Sequence, residues 1–285
     1  MTSTHAGKVA LVTGASSGIG AVTALHLKAL GFDTYAAARR LDRMEPLKRK
    51  DLHVLELDLT SDASIKKAFD QVATEAGGVD VLVNNAGYGL YGSVEEVPLD
   101  QARRQFEVNL FGLGALTQLV IPHMREQRSG KIVNISSIGG VAASPYGGWY
   151  HATKFAVEGF SSSLRQELNP FGVDVVIVRP GGVNTEWRTP AGDSLKKYSY
   201  DGPYQKAVRP ALTKFMSDEF TKMLADPQNV ADVIGKVVTT DHPKAIYNGT
   251  SLAGKILFIH KMMMSEKARD AFTRKFIGLP KTIQP

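Results

Sequence analysis

Residues 8–20 read KVALVTGASSGIG, an apolar, β-branched run that breaks into a turn carrying Gly14, Gly18 and Gly20 and then into a helical pattern. A strand ending in such a turn, with a helix starting inside it, aims backbone N–H groups at one point. Missing Cβ atoms let a phosphate come close, and the helix N-terminus favours its charge. The spacing is Gly-x-x-x-Gly-x-Gly, not the Gly-x-Gly-x-x-Gly of the commoner dinucleotide turn. A rival reading shares these letters, because Gly14 to Gly18 also spell Gly-x-Ser-x-Gly, a hydrolase nucleophile elbow with Ser16 at its tip. That reading has His242 and His260 available as late histidines. It lacks a His-Gly-Gly-Gly oxyanion loop, and the turn follows the first strand, where an elbow normally follows a later one.

Outward from the turn, short apolar runs at 8–13, 33–38, 53–57, 80–84, 131–136 and 173–178 alternate with helical patterns near 18–30, 62–76, 99–127 and 149–169. The runs show little polar alternation, as expected of strands covered on both faces. This order predicts an α/β fold, a Rossmann-like doubly wound parallel sheet with helices on both faces and a small substrate-binding lobe. No fixed-period repeat or low-complexity linker divides the chain, so residues 1–285 are expected to form one domain. After residue 180 the rhythm breaks. The stretch 185–215 holds prolines and tyrosines with no clean period and is expected to be an irregular substrate loop. A helix is expected at 227–239, a short strand near 245–248 and a basic, amphipathic helical segment at 251–277. That last segment suits a packed terminal helix, a subunit contact or a peripheral membrane contact.

Composition bounds the function. Hydrophobic residues make up 43% and charged residues 22%, ordinary for a globular protein with a full core. The absence of cysteine excludes disulfides, a cysteine nucleophile and Cys-zinc sites, and no metal is implied. No signal-peptide pattern or membrane-length apolar window is present, so a cytoplasmic location is expected. The net charge is +6, but the basic residues are scattered apart from 38–50, so no nucleic-acid partner is expected.

The end of the second run decides the nucleotide. In dinucleotide folds an acid here binds the 2′-hydroxyl of NAD, whereas arginine accommodates the 2′-phosphate of NADP. This chain reads TYAAARR, with Ala38 in the acid's place and then Arg39 and Arg40. A fork-shaped cation suits a phosphate dianion, so NADP(H) is expected, with Arg39 the first candidate and Arg40 the second. Asp58, after the third run, suits either the adenine amino group or a helix N-cap.

TGASSGIG at 13–20, NNAG at 84–87, Asn109, the serines at 136–137, YHATK at 150–154 and PGGVNTE at 180–186 occur in one order. With these motifs the chain resembles the short-chain dehydrogenase/reductase family from about residue 7 to 190. Within it, the chain looks most like the hydroxysteroid/retinol dehydrogenase/acyl-glycerone-phosphate reductase branch. The resemblance implies that Gly14, Gly18 and Gly20 hold the pyrophosphate with a backbone N–H from Ile19, and that Ser16 also binds the cofactor. Ser17 stands where many NADP-preferring members carry a basic residue, so the 2′-phosphate would rest on Arg39 with hydroxyl help from Ser17. It implies that Asn84, Ala86 and Gly87 line the adenosine side and steady the central sheet, and Asp58, Leu59 and Asn85 are further cofactor-binding candidates. Pro180, Gly181, Val183 and Thr185 would grip the nicotinamide amide. Asn109 would interrupt its helix and hold a water in a proton relay. Ser137 would bind the substrate oxygen, with Ser136 as its alternative if the register slips. The helices at 99–127 and 149–169 would form a homodimer or homotetramer.

The chemistry then falls on Ser137, Tyr150 and Lys154. Reducing a carbonyl needs a hydride on carbon and a proton on oxygen. A tyrosine phenol can give that proton, and the i, i+4 spacing puts the Lys154 ammonium on the same helical face to stabilise a phenolate. Lys154 can also bind the nicotinamide ribose. Ser137 can polarise the carbonyl oxygen. His151 lies about 100° around the helix from Tyr150 and is left outside the site. Tyr88, Leu90, Val141, Tyr146, Trp149 and Trp187 are candidate pocket walls, and their apolar, aromatic character suits a hydrophobic ketone or alcohol. The competing readings are the serine hydrolase and a non-catalytic NADP-binding regulator. The intact Ser-Tyr-Lys set argues against the second.

Overall fold

The computed structural model describes residues 7–249 and 263–279. Seven strands form one parallel sheet in the order β3-β2-β1-β4-β5-β6-β7. They are β1 (Val9–Thr13), β2 (Asp33–Ala38), β3 (His53–Glu56), β4 (Val81–Asn84), β5 (Gly130–Ile135), β6 (Val173–Pro180) and β7 (Ile246–Gly249). Successive side chains on a strand point to opposite faces. In β1, Ala10 and Val12 pack on one side with Ala24 and Leu27 of α1 (Gly18–Ala29) and Ile234 of α10 (Pro227–Thr239). Val9 and Leu11 pack on the other with Ile65 of α3 (Asp62–Ala76), Leu116 of α5 (Gly112–Glu126) and Leu164 of α6 (Gly148–Leu168). Burial on both faces explains the continuous apolar runs.

A polar ladder crosses the sheet near its carboxyl edge. Asn84 Nδ2 donates to Asn134 Oδ1 at 2.9 Å and to Thr117 Oγ1 at 3.0 Å, and Asn134 Nδ2 donates to Ser161 Oγ at 2.8 Å. These groups are buried, so each bond left unmade would cost about 1–3 kcal/mol. The ladder ties β4 and β5 to α5 and α6, the helix that carries Tyr150 and Lys154.

Two expectations are corrected. The helix expected at 99–127 is α4 (Leu99–Phe106) and α5, separated by a π-type turn at Glu107–Phe111 that centres on Asn109. The stretch 185–215 is not an irregular loop but holds α7 (Arg188–Ser199) and α8 (Gln205–Met216). Pro190 sits in the first turn of α7, where its missing N–H has no intrahelical partner to lose. Pro210 lies inside α8. Prolines read as breakers hid both helices. Two short helices complete the set: α2 (Glu45–Lys48) between β2 and β3, and α9 (Asp218–Lys222) after α8, the latter capped by Ser217 Oγ accepting from Phe220 N. Residues 251–262 of the expected terminal segment lie outside the described residues. Its remainder is α11 (Glu266–Ile277), capped by Ser265 and packed against α8. No helix among the described residues is long and apolar enough to cross a membrane.

Candidate active site

The strand order reverses between β1 and β4, and the site lies outside the carboxyl ends of these strands, as in other open α/β sheets. Gly14 and Gly18 have φ of +69° and +55°, a left-handed conformation that side chains disfavour. A Cβ on Gly20 would strike the Gly14 carbonyl, so the helix starts in close contact with the strand end. Ser17 is the N-cap of α1 but makes no side-chain cap bond, and the first turn holds no acidic residue. The helix N-terminus therefore keeps its open N–H groups and uncompensated positive end for an anion, which fits a pyrophosphate. Thr13 Oγ1 accepts from the N–H of Asn85 and of Ala86, both at 3.0 Å, and Asn85 Nδ2 donates to Thr13 O at 2.9 Å. Asn85 and Ala86 thus lock the end of β4 to the end of β1 and shape the floor of the turn. Ile19 packs against the core beneath.

Arg39 and Arg40 stand exposed beyond the carboxyl end of β2. Arg40 Nη2 donates to Ser16 Oγ at 3.3 Å, so the second-ranked arginine is the one that reaches the glycine turn. Ser16 is partnered by that arginine. Asp58 is not an N-cap, because Ser61 caps α3. Its Oδ1 accepts from Thr60 N and Oγ1. Burial pushes the Asp58 carboxyl up, but the Thr60 donors and the charges of Arg39 and Arg104 outweigh this and hold it below the usual value. Leu59 is buried in the core, with its carbonyl against Gly112 of α5.

Tyr150 and Lys154 are buried on one face of α6, at 8% and 7% exposure. Ser137 follows β5 as the N-cap of a tight turn at Ile138–Gly140, and its Oγ accepts from Gly139 N at 2.9 Å. Ser137 is near enough to the Tyr150 hydroxyl to pull its phenol down, whereas the buried Ser136 Oγ has no partner, which favours Ser137 over Ser136 for the role beside Tyr150. Lys154 Nζ donates to Ile135 O at 2.7 Å. Burial raises the Tyr150 phenol to about 12, against the pull of Ser137, and burial lowers the Lys154 ammonium to about 8, against the pull of Glu158. The depression of the phenol by Lys154 expected from the spacing is not seen: Ser137 is the group that pulls Tyr150 down, burial outweighs it, and Lys154 Nζ is turned to the Ile135 carbonyl.

Asn109 is buried in the π-type turn. Its Oδ1 accepts from Tyr88 N, and its Nδ2 donates to Tyr88 O and to Thr153 Oγ1. Its amide thus pins the strand-end segment 87–88 to α6. His151, left outside the chemistry, holds the turn that carries Ser137. The Ser144 N–H can only donate, so His151 Nε2 accepts it at 3.0 Å and the ring proton lies on Nδ1, which donates to Gly139 O at 2.9 Å. Periodicity could not show this, because the contact comes from a loop.

The pocket walls divide. Trp187 lies 5.3 Å from the Tyr150 ring, and Tyr91, which the sequence reading missed, lies 5.8 Å from Tyr150 and 5.9 Å from Trp187. Phe215 of α8 stacks on Tyr91 at 6.3 Å. Burial and the neighbouring Tyr150 push the Tyr91 phenol up. Tyr91 is held through its backbone, whose N–H and carbonyl both bond Ser194 Oγ of α7. Tyr88 is half-buried with its phenol raised by burial, and Leu90 is buried. Val141 closes the Ser137 turn. Tyr146 has φ of +65°, a strained conformation for a side-chain-bearing residue, and its ring meets Tyr204 at 6.1 Å. Trp149 is not among the rings around Tyr150. It lines an outer groove with Leu99, Phe106 and Phe111.

Beyond β6 the chain turns over the glycine turn. Pro180 pairs with Gly249 of β7, Gly181 follows it, Val183 bridges Ala225, and a Cβ on Gly18 would touch Thr185 at 3.1 Å. Arg43 Nη1 and Glu186 Oε2, 2.5 Å apart, join this segment to the loop after β2.

A parallel sheet with an anion cradle at its switch point and a serine–tyrosine–lysine set beside it defines an oxidoreductase of the nicotinamide-dinucleotide class. The particular family follows from comparison: residues 8–196 match the short chain dehydrogenase family, and the chain belongs to it. It is 33% identical over 277 residues to the "Uncharacterized oxidoreductase YusZ" of Bacillus subtilis, covering 94% of this chain and 98% of that one. It is 42% identical over 178 residues to the "3-ketodihydrosphingosine reductase" of Bacteroides thetaiotaomicron, covering 62% and 65%. Among solved structures, a variant of actinorhodin polyketide ketoreductase with NADPH superposes with a TM-score of 0.73 at 29% identity, covering 85% and 95%. With the Ser16–Arg40 contact, this membership sets the hydrolase reading aside.

Proposed function

We propose that this chain is an NADP(H)-dependent reductase of a hydrophobic ketone or aldehyde, interconverting it with its alcohol through Ser137, Tyr150 and Lys154. The observation that carries the reading is the buried pair Tyr150 and Lys154 one turn apart on α6, with Ser137 acting on the Tyr150 hydroxyl, beside a glycine turn that suits a pyrophosphate. Gly14, Gly18, Gly20 and the N-terminus of α1 would hold the pyrophosphate, Arg40 and Arg39 the 2′-phosphate, and Thr185 the nicotinamide side. A nicotinamide held there would supply the hydride that reduces the carbonyl. Ser137 Oγ donates to the carbonyl oxygen and stabilises its developing charge. Tyr150, with its phenol at about 12, stays protonated across the neutral range and gives its proton to that oxygen. The Lys154 ammonium stabilises the phenolate left behind.

A wall of Tyr91, Trp187 and Phe215 favours an apolar, ring-bearing or long-chain substrate over a small polar one. The ketoreductase and ketodihydrosphingosine reductase likenesses point the same way. A homodimer through the faces of α5 and α6 suits a groove of about 470 Å³ lined by Leu110, Phe111 and Phe160, with Phe111 57% and Phe155 47% exposed.

The test is oxidation of NADPH and of NADH against a panel of apolar ketones and aldehydes. Turnover with NADPH and a bulky ketone is expected. Lys154 is charged below about pH 8, so kcat/KM for reduction is full below that pH and falls as pH rises through it. No oxidation of either cofactor by any carbonyl compound would overturn the reading.

A further inference from the structure

The seat of Lys154 contains an ion pair that the reaction above leaves unused. Glu158 stands one turn beyond Lys154 on the same face of α6, and its side chain is 12% exposed. Arg179 of β6 grips it with two donors, Nε to Oε1 and Nη2 to Oε2, both at 2.8 Å. Such a two-pronged pair fixes the carboxylate in position. The turn after Ser137 closes down on the same place. A Cβ on Gly140 would lie 2.6 Å from Ser136 Oγ, 3.0 Å from the Lys154 carbonyl oxygen and 3.1 Å from Glu158 Cγ. A side chain at residue 140 would therefore displace the Ser136 hydroxyl and press on the stretch of α6 that holds Lys154 and Glu158. Arg179 also lies on the strand next to β5, whose Ile135 carbonyl receives Lys154 Nζ.

A buried ion pair is weak as a source of stability, because desolvation offsets much of the attraction. Its placement one turn from a buried lysine points to another role. Burial favours neutral Lys154, and Glu158 is the charge that opposes this. The other groups on elements packed around α6 do not supply it. Arg179 is itself a cation, and Tyr150 is protonated. Arg103 and Glu107 line the outer groove, and Arg104 acts on Tyr88 and Asp58. His151 bonds Gly139 and Ser144, and Arg165 lies about three turns farther along the helix.

We propose that Glu158, locked in place by Arg179, is a positioning residue that keeps the Lys154 ammonium charged in its buried seat beside Tyr150. The proposal rests on the reading of Lys154 as the cation that serves Tyr150. Its test reads Lys154 without any substrate. The full chain is labelled with ¹³C-lysine, Lys154 is assigned by its loss in Lys154→Met, and its titration is followed by NMR. Three forms are compared: wild type, Glu158→Gln, and the double variant Glu158→Gln with Arg179→Gln. The expected order of midpoints is wild type highest, double variant lower, single variant lowest, because the single variant leaves Arg179 uncompensated near the lysine. A total drop of about one unit, a tenfold change in the protonation equilibrium, is the expected scale. The alkaline limb of kcat/KM moves to lower pH in the same order.

Coincident midpoints with lowered melting temperatures would show a purely structural pair and overturn the proposal. If the single variant fails to fold, the double variant decides alone, since it leaves no unpaired charge; a wild-type midpoint there overturns it. If no form reduces any carbonyl compound, the proposed function fails while the NMR order still decides the role of Glu158.

Discussion

The chain on either side of Glu186 is built by different means. Before it, the site is held by backbone groups and buried polar side chains: the glycine turn, the Thr13–Asn85 lock, the ladder from Asn84 to Ser161 and the Asn109 clamp on Tyr88. After it, helices α7 to α9 contribute an aromatic wall and surface cation–π contacts, such as Arg209 over Tyr200 at 4.7 Å. The net charge is divided too, since the excess of basic over acidic residues comes wholly from the chain after Glu186. Groups that bind a fixed nucleotide need fixed donors, and backbone N–H groups at a helix end supply them. Groups that select a substrate need shape and apolar surface, which many side-chain combinations provide. The first region is expected to respond to substitution all-or-none, the second by degrees.

The sharpest test of that contrast is Tyr150→Phe. It removes the proton donor while keeping the ring against Trp187, and kcat is expected to fall by about 10²–10⁴-fold. NADPH affinity, read by cofactor fluorescence, should stay within about twofold. Wild-type turnover in this variant would remove Tyr150 from the chemistry. Next in size is Arg40→Ala with Arg39→Ala. Loss of charged hydrogen bonds to a 2′-phosphate is expected to lower kcat/KM for NADPH by roughly 10–100-fold and to leave NADH little changed. Equal losses with both cofactors would mean that the arginines shape the turn and do not read the phosphate.

Smaller still is Trp187→Ala on the other side of the divide. It should raise KM for bulky apolar ketones by about tenfold while leaving kcat for a small ketone nearly unchanged. A collapse of kcat for every substrate would break the comparison, since Trp187 would then belong with the fixed machinery. The smallest expected effect is on the outer groove. Trp149→Phe keeps an aromatic ring there and should change KM for any ketone by less than about twofold. A KM shift as large as that of Trp187→Ala would return Trp149 to the pocket.

Legibility followed the same divide. The strand segments, the glycine turn and the Tyr150–Lys154 pair could be read because each depends on local sequence: a run of β-branched residues, a spacing of glycines, an i, i+4 pair; Ser137 came from the family resemblance. Tyr91 could not, because it reaches Tyr150 only when Ser194 of α7 ties its backbone down. His151 looked irrelevant on its helix because the atoms it holds, Gly139 and Ser144, arrive from a loop. Trp149 looked like a pocket wall because it precedes Tyr150, yet one step around a helix turned it to the outer groove. Prolines at 190 and 210 argued against helices that packing on the sheet-end lobe nevertheless formed.

The sequence by itself therefore determined the parallel sheet, the glycine turn and which residues could carry proton chemistry, since periodicity and residue type set those locally. Only the tertiary structure decided their state. Burial, which no local pattern records, raises the Tyr150 phenol and lowers the Lys154 ammonium. It was also the meeting of segments far apart in the chain that brought Glu158 to Arg179, Ser16 to Arg40 and Trp187 to Tyr150.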